Sequence, residues 1–142
     1  MRSCTIFSVT RNALSVFYII ITAVCLLPGN VNAQDVWANA DANRGWQYFG
    51  NCAACHTIGK GQRHKVGPNL FGIVGHPAGA RDDYAGYTPA LRNSELVWDA
   101  ATLDRYLENN KLVVPGNRMA CGRIPDPQIR ADIITYLSLF HE

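Results

Sequence analysis

The stretch Cys52-Ala53-Ala54-Cys55-His56 carries the strongest structural signal in this sequence. Two thiols three positions apart share one side of a helix end, so both can bond to one edge of a flat ligand. The histidine that follows is then held against the face of the same ligand. This pattern is typical of covalent attachment of one c-type haem through two thioether bonds, with His56 as a ligand of the iron.

Three other interpretations of the two cysteines remain open. A structural zinc site needs four ligands, usually a second pair of cysteines or histidines, and the other candidates lack paired spacing: His64, His76, Cys121 and His141. A thiol–disulfide exchange motif opens a helix after a strand, whereas this motif closes a helical pattern with no strand before it. A plain structural disulfide is not excluded by the spacing alone.

Residues 1–33 differ from the rest of the chain. Arg2 and Arg11 are their only charges, an apolar run covers residues 13–27, and a small residue, Ala33, follows a Pro-Gly pair. This order is typical of a secretory signal peptide, so we expect cleavage after Ala33 and export of residues 34–142 as one domain. The alternative is an uncleaved anchor in a membrane. The apolar run has only fifteen residues, whereas a spanning helix needs roughly 20.

Removal of residues 1–33 leaves a domain with no net charge. Two of the thirteen lysines and arginines lie before residue 34, and all eleven acidic residues lie after it. The domain therefore lacks the broad basic field of a nucleic-acid-binding protein. Its 109 residues are near the lower limit for a self-sufficient core, and a large apolar ligand would supply part of what is missing.

Three helices are predicted in the domain. The first covers about residues 41–52, and four residues recur at helical spacing on one face: Ala42, Trp46, Phe49 and Ala53. The second follows Asp99, and the third begins at Asp126-Pro127, both with good N-caps. Residues 59–94 are rich in glycine and proline and contain no convincing strand. The predicted fold is small, all-α and loop-rich.

Met119 is the candidate for the second axial ligand of the iron. It is the only methionine after residue 33, and it follows a Pro115-Gly116 turn that can present a side chain inward. A thioether suits low-spin iron, and His/Met ligation raises the reduction potential. A lone methionine can also be core filler. An open sixth position would make the protein a haem enzyme or gas sensor, so this ligand separates those functions from electron transfer.

Taken in this order, the motifs resemble a class I cytochrome c, the type shared by mitochondria and the bacterial periplasm. Gly45 and Phe49 resemble the first helix of that family, which crosses closely over the last helix, here at Tyr136. Residues 64–70 resemble the loop after the haem motif, and residues 115–119 resemble the methionine loop. The resemblance covers nearly the whole domain.

The resemblance implies a fold of about three main helices wrapped around one haem c, and roles for further residues. Pro68 would accept a hydrogen bond from the iron-binding histidine. Tyr87 and Trp98 would donate to a haem propionate, and Tyr106 would approach the methionine sulfur. The implied function is that of an electron carrier rather than an enzyme: it shuttles one electron at a time between redox partners.

The expected partners are periplasmic or membrane-bound redox proteins, such as a quinol-oxidising complex, a terminal oxidase or a reductase, and the carrier itself is expected to be a monomer. Lys65, Lys111 and Arg118 fall in segments that surround the haem edge in the family. They suggest a modest positive ring that meets an acidic partner briefly.

Two positions depart from the family pattern. Cys121 stands where an aromatic residue is usual. We expect it to be a small apolar filler, with a risk of intermolecular pairing in an oxidising compartment. His76 stands where an arginine often lies near the propionates, and its titration would make the reduction potential depend on pH near neutrality.

Overall fold

The computed structural model describes residues 32–121 and 123–142. These residues form five helices: α1 (Ala33–Ala38), α2 (Ala42–Ala53), α3 (Pro89–Arg92), α4 (Ala100–Val113) and α5 (Pro127–Leu137). Their one β-type pairing is an isolated bridge between Pro77 and Val97. None of the helices in this part of the chain has the length and apolar character needed to cross a membrane. The predicted signal peptide, apart from its last two residues, lies outside the described ranges.

The three predicted helices are confirmed, and the second and third begin at the expected caps. Asp41 accepts hydrogen bonds from two backbone N–H groups at the start of α2. Asp99 accepts a hydrogen bond from one backbone N–H group at the start of α4. Asp126 accepts from two backbone N–H groups of α5, and Pro127 occupies the first turn of that helix. Carboxylate caps satisfy backbone donors that the first helical turn leaves free, so these short sequences start helices by themselves.

The crossing of α2 over α5 is the closest contact between helices. A Cβ atom at Gly45 would lie 2.0 Å from the carbonyl oxygen of Asp132, so only glycine fits there. One turn later the rings of Phe49 and Tyr136 are 5.3 Å apart. One residue of the predicted apolar face of α2 was assigned wrongly: Trp46 is 63% exposed and does not face the core. The close approach at Gly45 turns that indole outward.

Two short helices were not predicted. α1 begins at the N-cap Asn32 and buries Val36 against α5, where Gln128 donates a hydrogen bond of 3.1 Å to the Val36 carbonyl. The predicted cleavage position after Ala33 therefore falls inside α1, between its first two residues. α3 is a single turn capped by Thr88. Helices this short depend on packing more than on sequence pattern.

The core draws on α2, α4, α5 and the loops on either side of α3. Its largest buried members include Phe49, Ile73, Trp98, Tyr106 and Ile133. Half-buried Cys52 and Met119 pack against this same cluster although they are far apart in the chain. The fold therefore brings the end of α2 and the segment after α4 to one apolar centre.

Candidate functional site

The cysteine motif lies where α2 ends. The backbone N–H groups of Cys55 and His56 both donate to the carbonyl of Cys52, at 3.0 and 2.9 Å, which winds the motif into a tight turn. Both thiols are free and half-buried. Burial, and secondly the nearby Cys121, raises the pKa of the Cys52 thiol. The motif thus presents two unbonded thiols at a helix end, as covalent attachment of a ligand requires.

The imidazole of His56 is fixed from two sides. Its Nδ1 donates to the carbonyl oxygen of Pro68 at 2.7 Å, which is the predicted contact. A Cβ atom at Gly67 would lie 2.4 Å from the ring, so the backbone passes directly over it. Burial lowers the pKa of His56, although the bond to Pro68 acts in the opposite direction. Nε2 has no partner among the described residues, and a neutral ring with a free nitrogen can bind a metal.

Asn69 holds the loop that carries Pro68, and sequence analysis missed it. Its side-chain amide donates to the carbonyls of Gly59 and Gln62, both at 2.9 Å. Its backbone N–H donates to Nδ1 of His64 at 2.8 Å, and the side chain is almost fully buried. A polar residue after proline in a glycine-rich stretch signals only a loop, so the sequence contained no sign of this role.

The Met119 loop is held by two buried asparagines. Asn117 donates to the carbonyls of Asn110 and Val114 at 2.8 and 2.7 Å, and accepts from the N–H of Met119 at 3.0 Å. Asn110 in turn donates to the carbonyl of Met119 at 3.0 Å. Gly116 has a φ of +88°, which provides the turn. Asn110 lies on the same face of α4 as the buried leucines. A polar residue on that apolar face was the sign in the sequence that Asn110 has a structural role.

Three aromatic residues complete the surroundings. The rings of Trp98 and Tyr106 meet edge to face at 4.8 Å, and burial raises the pKa of Tyr106 to about 12. Tyr87 is half-buried and lies edge to face with Tyr84 at 4.9 Å. The indole N–H of Trp98 and the hydroxyls of Tyr87 and Tyr106 have no hydrogen-bond partner among the described residues. These donors are free to bind polar groups of a ligand.

The donors at the site fit a covalently attached haem. The thiol of Cys52 and the thioether of Met119 pack against one apolar core, and Cys55 and His56 belong to the same turn as Cys52. Three unpartnered donors accompany these groups. In residues 32–121 and 123–142, no three side chains of His, Cys, Asp and Glu form a metal-binding group. The four ligands of a structural zinc site are therefore not assembled in this part of the chain.

Comparison with known proteins decides the family. The chain is 43% identical over 116 residues to cytochrome c2 of Rhodomicrobium vannielii, a match that covers 78% of this chain and 92% of that protein. It is 41% identical over 98 residues to cytochrome c of Stellaria longipes, covering 68% and 90% of the two chains. This chain belongs to the class I cytochrome c family.

A solved structure agrees with this assignment. Cytochrome cH from Methylobacterium extorquens superimposes with a TM-score of 0.66 at 42% identity, covering 70% of this chain and 99% of that one. No protein-family model matches the chain. As a class I cytochrome c, the protein is an all-α, single-haem electron carrier with covalently bound haem c, not an enzyme.

One expectation about this cytochrome is wrong. Cys121 is exposed rather than a buried apolar filler. Its carbonyl accepts a hydrogen bond of 3.1 Å from the buried amide of Asn110. The backbone of this segment thus faces the core, while the residue as a whole remains accessible.

Proposed function

We propose that haem is attached through Cys52 and Cys55, and that its iron is bound by Nε2 of His56 and the sulfur of Met119. The observation that carries this is the 2.7 Å hydrogen bond from His56 to Pro68, because it leaves the other ring nitrogen free on a fixed imidazole. Cys52 and Met119 pack against one apolar core, which supports the binding of a single haem by the segments that carry them.

The residues around the cofactor would tune and hold it. Bound haem supplies a one-electron couple at its iron. The Pro68 carbonyl raises the donor strength of the imidazole. Asn110 and Asn117 keep Met119 in one position in both oxidation states, which keeps the structural change on electron transfer small. Trp98 and Tyr87 would donate to the haem carboxylates, and Tyr106 would lie beside the methionine.

Optical spectra of the exported protein, oxidised and then reduced, test this assignment. We expect sharp α and β bands on reduction and a weak far-red methionine-to-iron band on oxidation. Met119→Leu should abolish the far-red band and keep the haem, whereas the control Cys121→Ala should keep both. Haem bands with no far-red feature in the unmodified protein would favour the alternative function of a haem enzyme or sensor.

We further propose that residues 1–33 are a signal peptide and that the carrier works in the periplasm. The charge and apolar pattern of that segment supports export. Cleavage after Ala33 would also remove Asn32, the cap of α1, and leave Gln34 at the new terminus. The mass of the protein from a periplasmic fraction decides this: a chain beginning at Gln34 agrees, and the full-length mass indicates an anchor.

We propose that the partners are acidic surfaces of periplasmic or membrane-bound redox proteins, either a quinol-oxidising complex or a terminal oxidase or reductase. The carrier would dock on them as a monomer. Lys65 donates to the carbonyl of Ala53 within the haem motif, and Lys111 to the carbonyl of Asn117 in the methionine loop. Arg118 is exposed in the same loop. These contacts concentrate positive charge around the proposed haem site.

The rate of electron transfer to an acidic partner tests this surface. Arg118→Gln should slow the reaction at low ionic strength, and the difference should fade as salt is added. Arg105→Gln removes the same charge from exposed α4 and should change the rate less. Equal effects of the two substitutions, or a rate independent of salt, would contradict the proposal.

A further inference from the structure

A cavity of about 410 Å³ lies in the loop region between α2 and α3. Its lining includes the side chains of His76, Arg81, Asp83 and Tyr87. Two of these, His76 and Tyr87, were expected near a haem propionate. Arg81 was not singled out by the sequence.

Arg81 has a buried donor with no acceptor. Its Nε atom is shielded from solvent and forms no hydrogen bond with any described residue. Nη1 donates to the carbonyl of Phe71 at 3.0 Å, which anchors the guanidinium. The nearest carboxylate oxygen, on Asp83, is 3.5 Å from Nε and does not complete a hydrogen bond. Because a buried donor without an acceptor is destabilising, a ligand acceptor is expected here.

Tyr87 shares this environment with Arg81. Burial raises the pKa of the Tyr87 hydroxyl, and the charge of Arg81 opposes that rise. Both side chains line the same cavity. The hydroxyl has no hydrogen-bond partner among the described residues. His76, by contrast, is exposed. Two unpartnered donors that are not exposed therefore line the cavity: a guanidinium N–H and a phenol O–H.

The acidic residues of the cavity do not exclude an anion. Asp83 is 66% exposed and lies 3.2 Å from Nε2 of His64. Glu142 is also exposed, and its carboxylate is 3.2 Å from the ammonium of Lys60. Glu142 is thus paired with a cation at the rim, and Asp83 lies beside the neutral ring of His64. Asp83 is also within 3.5 Å of Nε of Arg81, but it completes no hydrogen bond with that buried N–H.

We propose that Arg81, together with the hydroxyl of Tyr87, binds one carboxylate of the haem, and that Arg81 rather than His76 is the cation at that carboxylate. The proposal rests on the proposed function, because the carboxylate belongs to a haem attached at Cys52 and Cys55. A guanidinium keeps its charge at all working pH values and matches a carboxylate with paired donors. A histidine at position 76 is then tolerated because the charge is provided five residues later.

The reduction potential of three variants tests the proposal: Arg81→Gln, His76→Gln and Arg92→Gln. Arg92 is the matched control, since its guanidinium lies 5.4 Å from the ring of the same Tyr87 but is exposed. Loss of a cation beside the haem favours ferric iron, so R81Q should show the largest downward shift of the three. This shift should persist at high salt, because buried pairs are screened little. Equal shifts for R81Q and R92Q, or a larger one for H76Q, would overturn it.

Two further measurements keep the test decisive. If R81Q fails to hold haem, Arg81→Lys is compared with Arg92→Lys by resonance Raman spectroscopy. Only R81K should shift the propionate vibration, and an unchanged vibration overturns the proposal. A wild-type potential that varies with inorganic phosphate at constant ionic strength would assign the cavity to a free anion and also overturn it. Absence of haem from the wild-type protein would instead reject the proposed function itself.

Discussion

Buried amide side chains, more than charges, hold the methionine loop. The side-chain nitrogen of Asn110 donates to the carbonyls of both Met119 and Cys121, at 3.0 and 3.1 Å. Asn117 adds two more donated bonds and accepts one. Because both asparagines are buried, water cannot replace these bonds at low cost. The position of the proposed iron ligand therefore depends on two residues that would not touch the iron.

Asn110→Asp should loosen the proposed ligand while it preserves the shape of the side chain. A carboxylate cannot donate the two hydrogen bonds, so displacement of Met119 by cyanide should become easier by about tenfold. A spectral titration of the oxidised protein measures the affinity for cyanide. Asn109→Asp is the control, since the Asn109 oxygen only accepts a bond from the N–H of Leu112. Equal cyanide affinities of N110D and the wild-type protein would contradict this role.

The exposed thiol of Cys121 should make the protein sensitive to oxidants. Once Cys52 and Cys55 carry haem, Cys121 is the one remaining free thiol in the described part of the chain. Mild oxidation should therefore produce a disulfide-linked dimer that reductant reverses. Size-exclusion chromatography measures the dimer fraction, which should vanish in Cys121→Ala. Dimers that persist in that variant would show an interface that does not depend on the thiol.

Among the elements, α2 and α5 form the frame on which the haem motif rests. Gly45 lets the two backbones approach, and Phe49 packs on Tyr136 one turn later. The same helix ends in the cysteine motif, so a displacement at the crossing is carried along α2 to the proposed haem attachment site. Packing of this kind tolerates little added volume, since protein interiors have few voids.

Gly45→Ala should separate the two helices and destabilise the domain. The added Cβ would lie 2.0 Å from the carbonyl oxygen and 2.6 Å from the carbonyl carbon of Asp132, and overpacking of this kind costs about 2 kcal/mol. Gly50→Ala is the matched control in the same helix, since its Cβ would meet nothing within 4 Å. It should stabilise α2 by about 1 kcal/mol. Denaturant unfolding measures the stability of both variants. Destabilisation by both substitutions would indicate an effect of alanine on α2 in general rather than a clash at its crossing with α5.

At the scale of the whole molecule, one buried carboxylate joins both ends of the described chain. Asp132 in α5 is 1% exposed. It accepts from the backbone of Asp41 at 2.8 Å and from two nitrogens of Arg44 at 2.8 and 2.9 Å. Gln128 adds a third partner, at 3.1 Å, and also bonds to α1. Burial alone would raise the pKa of Asp132, but the bonds from Arg44, Asp41 and Gln128 outweigh it and lower the pKa.

The stability contributed by Asp132 should depend on pH with a definite sign. Because its pKa is lower in the folded than in the unfolded protein, the contribution is complete above the unfolded pKa of about 3.9. It is lost as pH falls through the folded pKa. Asp132→Asn should therefore destabilise the domain by about 2 kcal/mol at pH 7, and the difference from the wild-type protein should shrink below about pH 4. Denaturant unfolding at several pH values measures this, and a difference that does not change with pH would contradict it.

The parts of the structure that could be predicted from the sequence are those formed by residues close together in the chain. The turn at residues 52–56 and the caps Asp99 and Asp126 each act within about one helical turn, so their pattern can be read directly. The turn at Gly116 is equally local. The further site residues, including Pro68 and Trp98, came from the resemblance to a family rather than from the pattern itself.

What the sequence by itself determined was the class of protein: an all-α, haem-binding domain with its motifs in order. Only the tertiary structure decided that Trp46 faces outward, that Asn110 holds the methionine loop, and that Arg81 lines the same cavity as Tyr87. The contact between Asp41 and Asp132 joins residues 91 positions apart. Such contacts depend on how the helices pack, and packing is set by the fit of many side chains at once, which no local pattern contains.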